Sequence, residues 1–404
     1  MVKKPLAGIK VVGLTWYVTG PQITKTLAAY GAEVVKIEGH TRHDPGREYP
    51  PYKDNIAGLN RCGDFNSYNT GNLSIALNLA KPRGIEIVKR LVARADVVVD
   101  NFAGQAMPRM GLGYEELRKV KPDIIMLSAC MQGQTGPYAT LPGSGGHLVA
   151  LSGFTYITGW PDRQPAGPHG PYTDYIGPRF CLTAILAALD YRRRTGKGQY
   201  IDVSQYETSI HFLAPLLLDY TVNGRVAGGM GNRCSYAAPH GAYRCHGKDR
   251  WCAIAVFSDG EWSSFRKVIG NPPWSKDPRF GTLLGRKKNE DELDRLVEEW
   301  TVNYPAEQVM TMMQSAGVAA GVLETNQDMM EHDPQLKHRH FFRELDHPET
   351  GPYHAPGSAF NLSRATYELK RAPLLGEHNE YVLKELLSMS DSEIAKLSAE
   401  GVLE

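Results

Sequence analysis

Short apolar runs alternate with segments of helical periodicity along the first 200 residues of the chain. A strand, a helix and a second strand within about 30 residues form a βαβ unit, which builds a parallel sheet. The pattern therefore predicts an α/β fold class. We predict strands at 9–15, 33–38, 74–79, 96–100, 124–128 and 199–204, and helices at 22–30, 82–93, 114–120 and 205–221.

The carboxyl ends of the predicted strands are rich in polar and glycine residues. Ligands of open α/β sheets bind at this edge, so the segments that follow the strands should surround one crevice. The first turn lacks the G-x-G-x-x-G spacing of a dinucleotide site, which argues against NAD. The segments expected around the crevice are 15–19, 38–42, 101–102 and 128–134.

The stretch 170–208 combines a Gly/Pro-rich loop, a long apolar helix and a strand. Its helix carries leucine and isoleucine at three- to four-residue spacing, ends in Arg192-Arg193-Arg194, and stops at Gly196. Asp174 stands just before this helix. Two interpretations remain open: the carboxylate caps the helix, or it is a positioned nucleophile.

The texture of the chain changes at about residue 230, where shorter strands and helices begin. We predict a large domain over 1–225, a smaller α+β domain over 226–340, and a return to the large domain over 341–404. In the last segment, Ser390 and Glu393 have the spacing of a helix capping box.

Composition gives an ordinary globular profile. Of the 404 residues, 42% are hydrophobic and 22% charged, and the formal net charge is +1. Nothing in this balance indicates a nucleic-acid or membrane surface. The first residues lack the apolar core of a signal peptide. Six scattered cysteines favour reduced thiols, so we expect a cytoplasmic protein.

A metal site is not expected. Cys245 and Cys252 lie near His240 and His246, but their spacing matches no zinc pattern.

The core stretch resembles the signature of the family III CoA-transferases of the CaiB/BaiF type. The resemblance is carried by Asp174, by the Leu-Ala-Ala-Leu run at 186–189 and by Arg-Thr-Gly-Lys-Gly-Gln-Tyr-Ile-Asp-Val-Ser at 194–204. Further blocks in family order extend it over nearly the whole chain; they lie at 6–12, 31–38, 95–102, 133–137, 333–336 and 371–378. The opening around Trp16 and Gly20-Pro21 is most similar to the benzylsuccinate CoA-transferase branch.

The resemblance implies a Rossmann-like large domain, a small domain and an interlocked dimer. It also implies an activity: CoA moves from an acyl-CoA donor to a carboxylic acid through an aspartyl-CoA intermediate on Asp174. Succinyl-CoA is a candidate donor, and an aromatic acid such as benzylsuccinate is a candidate acceptor. No permanently bound cofactor is expected, since the CoA thioester is itself a substrate.

Family position also suggests binding residues. The CoA-facing turn would contain Trp16, Val18 and Thr19. Asn101, Phe102 and Arg109 match family CoA-binding positions; the alternative for Arg109 is a solvated helix residue. Glycine-rich backbone can supply oxyanion donors, or can simply form turns; the candidates are Gly228, Gly229, His240 and Gly241.

The chain departs from the family where cations are common. Gly71-Asn72-Leu73-Ser74 stands where the family commonly has an Asn-Lys-Arg-Ser type stretch, so two expected cations are absent, and Gly39 stands where Arg is frequent. Arg42, His43 or Arg47 could compensate from the nearby loop. The losses keep open a heteromer with a related subunit as well as a homodimer.

Two other functions remain as alternatives. An α-methylacyl-CoA racemase pairs an aspartate with a histidine of a Gly-His-Asp block. Here Gly143-Ser144-Gly145 occupies that place, and His147 lies three residues away. The other alternative is a non-catalytic subunit of a heteromeric CoA-transferase.

Overall fold

Six short strands of mainly apolar residues form a parallel sheet. The structure of the chain, a computed structural model, describes residues 4–404. The strands lie in the order β3-β2-β1-β4-β5-β6, and each neighbouring pair is parallel. This order confirms the predicted α/β class. Strands β2 and β3 are added on one side of β1, and β4 to β6 are added on the other, so the order of addition switches sides between β1 and β4. The strands are β1 Lys10–Leu14, β2 Glu33–Glu38, β3 Leu73–Ala76, β4 Val97–Asp100, β5 Ile125–Cys130 and β6 Gln199–Ser204.

Both faces of this sheet are buried, because consecutive side chains of a strand point to opposite sides. Val11 and Val97 lie in one apolar cluster, which includes residues of the helices at Thr19–Ala29 and Tyr172–Thr195. Val12 and Val98 lie in a second cluster with the helix at Pro82–Val92 and the C-terminal segment. Alternate valines therefore fix a helix layer on each side of the sheet.

The helices within residues 4–223 lie between or after these strands in the chain. They are α1 Thr19–Ala29, α2 Gly63–Tyr68, α3 Pro82–Val92, α4 Ala106–Arg109, α5 Tyr114–Val120, α6 Gly145–Leu151, α7 Phe154–Ile157, α8 Tyr172–Thr195, α9 Gln205–Ile210 and α10 Ala214–Asn223. The predicted helix at 205–221 is divided by a 3-10 turn at His211–Leu213. Pro215 stands in the first turn of α10, where its missing N–H costs nothing.

Helix α8 begins earlier than the sequence suggested. Its first residue is Tyr172, so Asp174 lies in the first helical turn and not in the preceding loop. Ile185 is fully buried as expected, whereas Leu186 is exposed, because the buried stripe runs through Cys181, Ile185 and Ala188. The helix ends as predicted, with three arginines in its last turn and Gly196 in the left-handed conformation (φ 72°).

The chain divides into two compact units. The first contains the residues up to Phe154, Gly167–Val226 and Lys337–Glu404; the second contains Thr155–Ala166 and Ala227–Leu336. The second unit has a three-stranded antiparallel sheet in the order β7-β8-β9 over its own apolar core. Its elements are β7 His240–Arg244, β8 Trp251–Ala255, α11 Asp259–Val268, α12 Leu283–Lys288, α13 Glu290–Thr301, α14 Ala306–Ser315, β9 Ala319–Val322 and α15 Asn326–Glu331.

The C-terminal segment completes the first unit. After α16 Pro334–His338 come an antiparallel hairpin, a π-helical turn at Tyr381–Leu386 and a last helix. The hairpin strands are β10 Phe342–His347 and β11 Gly351–Pro356, and the last helix is α17 Asp391–Ala399. The predicted capping box is present: the Ser390 hydroxyl accepts from the Glu393 N–H, and the Glu393 carboxylate accepts from the Ser390 N–H.

Candidate active site

A cavity of about 1460 Å³ lies within the first unit at the carboxyl ends of its strands. This is larger than the usual site for a small ligand and leaves room for an extended one. The four segments that the sequence predicted around a crevice all contribute to its lining. The residues that line it from those segments are Trp16, Tyr17, Val18, Thr19, Glu38, Thr41, Arg42, Asn101, Phe102, Cys130, Met131 and Gln132.

Asp174 is partly buried and lines this cavity. Among residues 4–404, no backbone N–H of its own helix donates to its carboxylate. Burial raises the pKa of Asp174 to about 6, and the neighbouring Thr19 hydroxyl opposes this rise. The carboxylate therefore does not cap its own helix, and it faces the cavity that a substrate would enter.

Gly145 lies directly against the Asp174 carboxylate. A Cβ atom at this position would come within 2.8 Å of Asp174 Oδ2 and closer still to Pro171 Cβ. Real Cβ atoms do not make such contacts, so glycine is required at the first residue of α6. The close approach of this backbone holds one side of the carboxylate in place.

Thr19 and Gln205 form a buried polar pair beside Asp174. The Thr19 hydroxyl donates to Gln205 Oε1 at 3.0 Å, and both residues line the cavity. They are the first residues of α1 and α9, so the start of each helix is brought to the same corner as the start of α8.

Trp16 is held by two of the predicted binding residues. The Trp16 N–H donates to Asn101 Oδ1 at 2.8 Å, and Asn101 Nδ2 donates to the Trp16 carbonyl at 2.9 Å. The Phe102 ring packs edge-on against the indole, with 4.8 Å between centroids. Both polar atoms of the Asn101 amide are therefore bonded to the β1–α1 turn. Trp16 and Phe102 present aromatic surface to the cavity.

A buried ionic network also holds the β1–α1 turn in place. Lys36 pairs with Asp44 at 2.9 Å and also donates to the Thr15 carbonyl. Asp44 Oδ1 accepts from the Tyr17 N–H at 2.8 Å, and Tyr17 has a positive φ of 59°. This conformation is unfavourable for tyrosine, so the Asp44 contact compensates for local strain.

Arg42, His43 and Arg47 were the candidates to replace the cations missing from the family pattern. The structure shows which of them lines the cavity. Arg47 is fully buried, makes two bonds to the Glu38 carboxylate and lies 3.5 Å over the Phe65 ring. Burial would raise the pKa of Glu38, but the Arg47 charge outweighs it and lowers that pKa to about 2. His43 bonds to Glu48. Arg42 is exposed and lines the cavity, so it is the cation available there.

The remaining predicted residues lie elsewhere. Arg109 is exposed at the end of α4 and does not line the cavity, although Ala106 and Met110 of the same segment do. The proposed oxyanion donors belong to the second unit, with His240 and Gly241 at the start of β7. Gly228 and Gly229 precede them in an irregular segment. Their roles, and that of Arg109, stay predictions.

His147 caps α6. Its Nδ1 lies 3.2 Å from the Ser144 nitrogen and 3.0 Å from the Ser144 hydroxyl, and the residue does not line the cavity. His147 therefore has a structural role at the start of α6, and the racemase alternative gains no support. Residues 4–404 also contain no group of three or more His, Cys, Asp or Glu side chains placed to share a metal ion.

Sequence reasoning missed Gln205, Gly145 and Tyr68. Gln205 directly follows β6, so the rule that ligands meet strand carboxyl ends could have found it. Tyr68 is the last residue of α2; its hydroxyl lies 3.4 Å from that of Tyr175, and burial raises the pKa of Tyr68 far above the usual range. Nothing in the local pattern marks Tyr68 before the fold is known, and the sequence indicates Gly145 only at the place of a Gly-His-Asp block, not as a neighbour of Asp174.

Comparisons with known proteins identify the family. The family model for CoA-transferase family III matches residues 6–379. The chain belongs to CoA-transferase family III. Succinyl-CoA–D-citramalate CoA-transferase of Chloroflexus aurantiacus is 32% identical over 99% of this chain and 98% of that protein. Mouse succinyl-CoA:glutarate CoA-transferase is 32% identical over 99% of this chain and 91% of that protein.

A solved structure shares the fold of this family III chain. The crystal structure of a CaiB/BaiF family protein from Brucella suis superposes with a TM-score of 0.86, at 32% identity, over 95% of this chain and all of that one. The family and the predicted fold are confirmed, and the chain is a CoA-transferase. The benzylsuccinate branch is not confirmed by these matches. Among residues 4–404, no helix has the length and apolar character needed to cross a bilayer.

Proposed function

We propose that this chain transfers CoA from an acyl-CoA donor to a carboxylic acid, with Asp174 as the covalent nucleophile. One observation carries the proposal: the Asp174 carboxylate lines the cavity, and its own helix amides do not bind it. A carboxylate in the first turn of a 24-residue helix is stabilised as an anion by the helix dipole. With a pKa of about 6 it is mostly ionised at neutral pH and only partly solvated.

The first half of the reaction would free the donor acid. An Asp174 oxygen attacks the thioester carbonyl, the carbon–sulfur bond breaks, and CoA leaves as a thiolate with the electron pair. The thiolate then attacks the aspartyl carbonyl of the mixed anhydride. This releases the donor acid as a carboxylate and leaves an aspartyl-CoA thioester.

The second half is the first in reverse with a different acid. The acceptor carboxylate attacks the aspartyl-CoA carbonyl, the carbon–sulfur bond breaks, and CoA thiolate leaves behind a second mixed anhydride. The thiolate then attacks the acceptor's acyl carbon, which gives the new thioester and releases Asp174 as a carboxylate. Thioester energy is kept throughout, provided that water does not reach the anhydride. Each step forms an oxyanion that needs N–H donors.

The lining of the cavity suggests how substrates are held. Arg42 would contact CoA phosphates, and Trp16 and Phe102 would contact its apolar parts. We propose succinyl-CoA as donor, because the two relatives described above are named as succinyl-CoA-dependent CoA-transferases. For the acceptor we propose an acid with an aromatic body. Of the residues 4–404, Arg42 is the one Lys or Arg in the lining, whereas four of its aromatic side chains are Tyr17, Tyr49, Phe65 and Tyr68.

The nucleophile is tested by Asp174→Asn. We expect transfer by the purified chain to fall by roughly 1000-fold or more, because an amide cannot form the anhydride. Hydroxylamine added with acyl-CoA should convert Asp174 of the parent enzyme to a hydroxamate, seen in the peptide mass spectrum. Asp190→Asn, on the exposed face of the same helix, is the matched control and should retain activity. Exchange by the Asp174→Asn variant near the parent rate, or an unmodified peptide, would contradict the covalent route.

The acceptor is tested by a panel of acids with succinyl-CoA as donor. We expect aromatic acids such as benzylsuccinate to give the highest kcat/KM, because the aromatic side chains bury an apolar body. Glutarate, citramalate and malate serve as the comparison set. Higher kcat/KM for these aliphatic dicarboxylates would refute the aromatic acceptor and leave the transfer mechanism standing.

A further inference from the structure

Three helix starts meet at one point of the cavity. Thr19 is 2% exposed and Gln205 is 4% exposed, and their side chains are joined by the 3.0 Å bond from the Thr19 hydroxyl to Gln205 Oε1. Asp174 is the third member of the group, with the Thr19 hydroxyl next to its carboxylate. Polar groups this deeply buried are costly unless their bonds are made, so their arrangement constrains Asp174.

The Thr19 hydroxyl has one proton and two acceptors to choose from. In the structure it donates to Gln205. When Asp174 is ionised, the carboxylate is the stronger acceptor. If the Gln205 amide turns by half a rotation, its NH₂ group donates to the Thr19 oxygen and the hydroxyl proton turns to Asp174.

The stem of Gln205 is fixed while its amide end can turn. Gly177 of α8 lies against this stem: a Cβ there would come within 3.2 Å of Gln205 Cγ. The glycine therefore lets α9 approach α8 closely, which holds Gln205 beside Thr19. Only the terminal amide torsion, which is soft in glutamine, needs to change between the two arrangements.

We propose that Gln205 is a positioning residue for the nucleophile, acting through the Thr19 hydroxyl. With the amide NH₂ toward Thr19, the hydroxyl donates to the Asp174 carboxylate and directs its other oxygen at the thioester. Once Asp174 is acylated and uncharged, the hydroxyl returns to Gln205 Oε1. The inference rests on the proposed function, since it gives Asp174 the role of nucleophile.

The experiment measures single-turnover CoA release against pH for four variants. We expect Thr19→Val to slow acylation by roughly 10- to 100-fold, the range for loss of a hydrogen bond to a charged group. Gln205→Leu leaves that bond possible but removes the amide that orients the hydroxyl, so it should slow acylation by roughly 10-fold. KM for the donor should change less than about twofold, since ground-state binding is left alone. Thr19→Ser keeps the hydroxyl and should restore the rate. Gln22→Leu, a buried glutamine on α1 outside the cavity lining, is the matched control.

The pH profile separates positioning from packing. Acylation needs the ionised carboxylate, so the rate rises with pH through the pKa of Asp174, which is about 6. Loss of the hydroxyl removes a group that lowers this pKa, so the midpoint should move to higher pH in Thr19→Val. A slower variant whose midpoint is unchanged would overturn the proposal in favour of a purely structural role.

A double variant completes the test. Because Gln205 acts through Thr19, Gln205→Leu should cost nothing further in the Thr19→Val background. If the loss of rate in the double variant equals the product of the two single losses, the proposal is overturned. It is also overturned if Gln205→Leu has the rate and pH midpoint of the parent enzyme. Hydroxamate formation at Asp174 in the parent enzyme is measured in parallel. Its absence would reject the nucleophile itself, and the Gln205 role with it, whereas its presence alongside unaffected variants rejects Gln205 alone.

Discussion

At the scale of single residues, opposing influences act on the Asp174 carboxylate. Burial raises its pKa, while the Thr19 hydroxyl and the positive end of α8 favour the charged form. The outcome is a pKa of about 6, low enough for ionisation at pH 7 and high enough to indicate incomplete solvation. A carboxylate with few water partners has less hydration to lose when it attacks a carbonyl.

Gly145→Ala tests how closely the backbone must approach this carboxylate. The added Cβ would lie 2.8 Å from Asp174 Oδ2 and even nearer to Pro171 Cβ, so the loop or the carboxylate has to move. We expect kcat to fall by about 100-fold, since a displacement of about 1 Å in a reacting group costs about that much. Steady-state kinetics give kcat, and thermal unfolding reports whether the fold survives.

Gly146→Ala is the matched control. At this position the nearest atom to a new Cβ would be the Ser144 hydroxyl oxygen at 3.8 Å, an ordinary contact. We expect kcat close to that of the parent enzyme. Equal losses in the two alanine variants would point to general loosening of α6 and contradict a specific contact with Asp174.

At the scale of elements, the turn from β1 to α1 is the best-supported part of the site. Asn101 binds the Trp16 backbone from the end of β4, and Asp44 binds the Tyr17 N–H. Lys36 reaches the Thr15 carbonyl from β2. A turn held by three neighbouring segments keeps Thr19 and Trp16 in place with little motion, as preorganised sites require.

Asp44→Ala should weaken the protein and its activity together. The substitution leaves the Lys36 ammonium buried without its counter-charge and removes the acceptor of the Tyr17 N–H. We expect a loss of about 3–5 kcal/mol in the free energy of unfolding, measured by urea denaturation. Glu400→Ala breaks an exposed pair with Arg83 and should cost under about 1 kcal/mol. A small loss for Asp44→Ala would mean that Lys36 finds water or another partner.

The sequence predicted the type and ends of helices and strands better than the contacts between distant segments. The apolar runs of a parallel sheet, the glycine stop of α8 and the capping box at Ser390 depend on local chemistry, and all three were found from sequence. The pairing of Arg47 with Glu38 could not be found in this way. It depends on where the loop after β2 folds back, and that loop has no periodicity. Asp174 was identified because its surrounding block resembles a family, not because an isolated carboxylate indicates a nucleophile.

At the scale of the whole molecule, α10 is unusual because its apolar side chains are exposed. Leu218 is 63% and Val222 78% exposed, and no residue of this helix is buried. An apolar helix without a buried face is typical of a surface that another chain covers. This supports the expected oligomer, whether it forms from identical chains or from a related subunit.

The double substitution Leu218→Glu/Val222→Glu tests this surface. If a second copy covers α10, the charges should reduce the mass measured by light scattering after gel filtration from that of an oligomer to about 45 kDa, the size of one chain of 44.7 kDa. Leu284→Glu, at a 75% exposed leucine of the second unit, is the control and should leave the mass unchanged. A parent chain that is already monomeric would contradict a homo-oligomer and direct attention to a related partner.

The outer edge of the sheet is closed by residues from the far end of the chain. The Ser74 and Ala76 N–H groups of edge strand β3 donate to the side chains of His378 and Asn379, and Asn78 N–H donates to the Val402 carbonyl. During synthesis these partners emerge about 300 residues after β3, as the residue numbers show. Until then the ribosome-bound chain carries an open strand edge, the kind of surface on which nascent chains aggregate. Early recognition by a chaperone would therefore matter more for this protein than for one whose edge strands are covered by adjacent sequence.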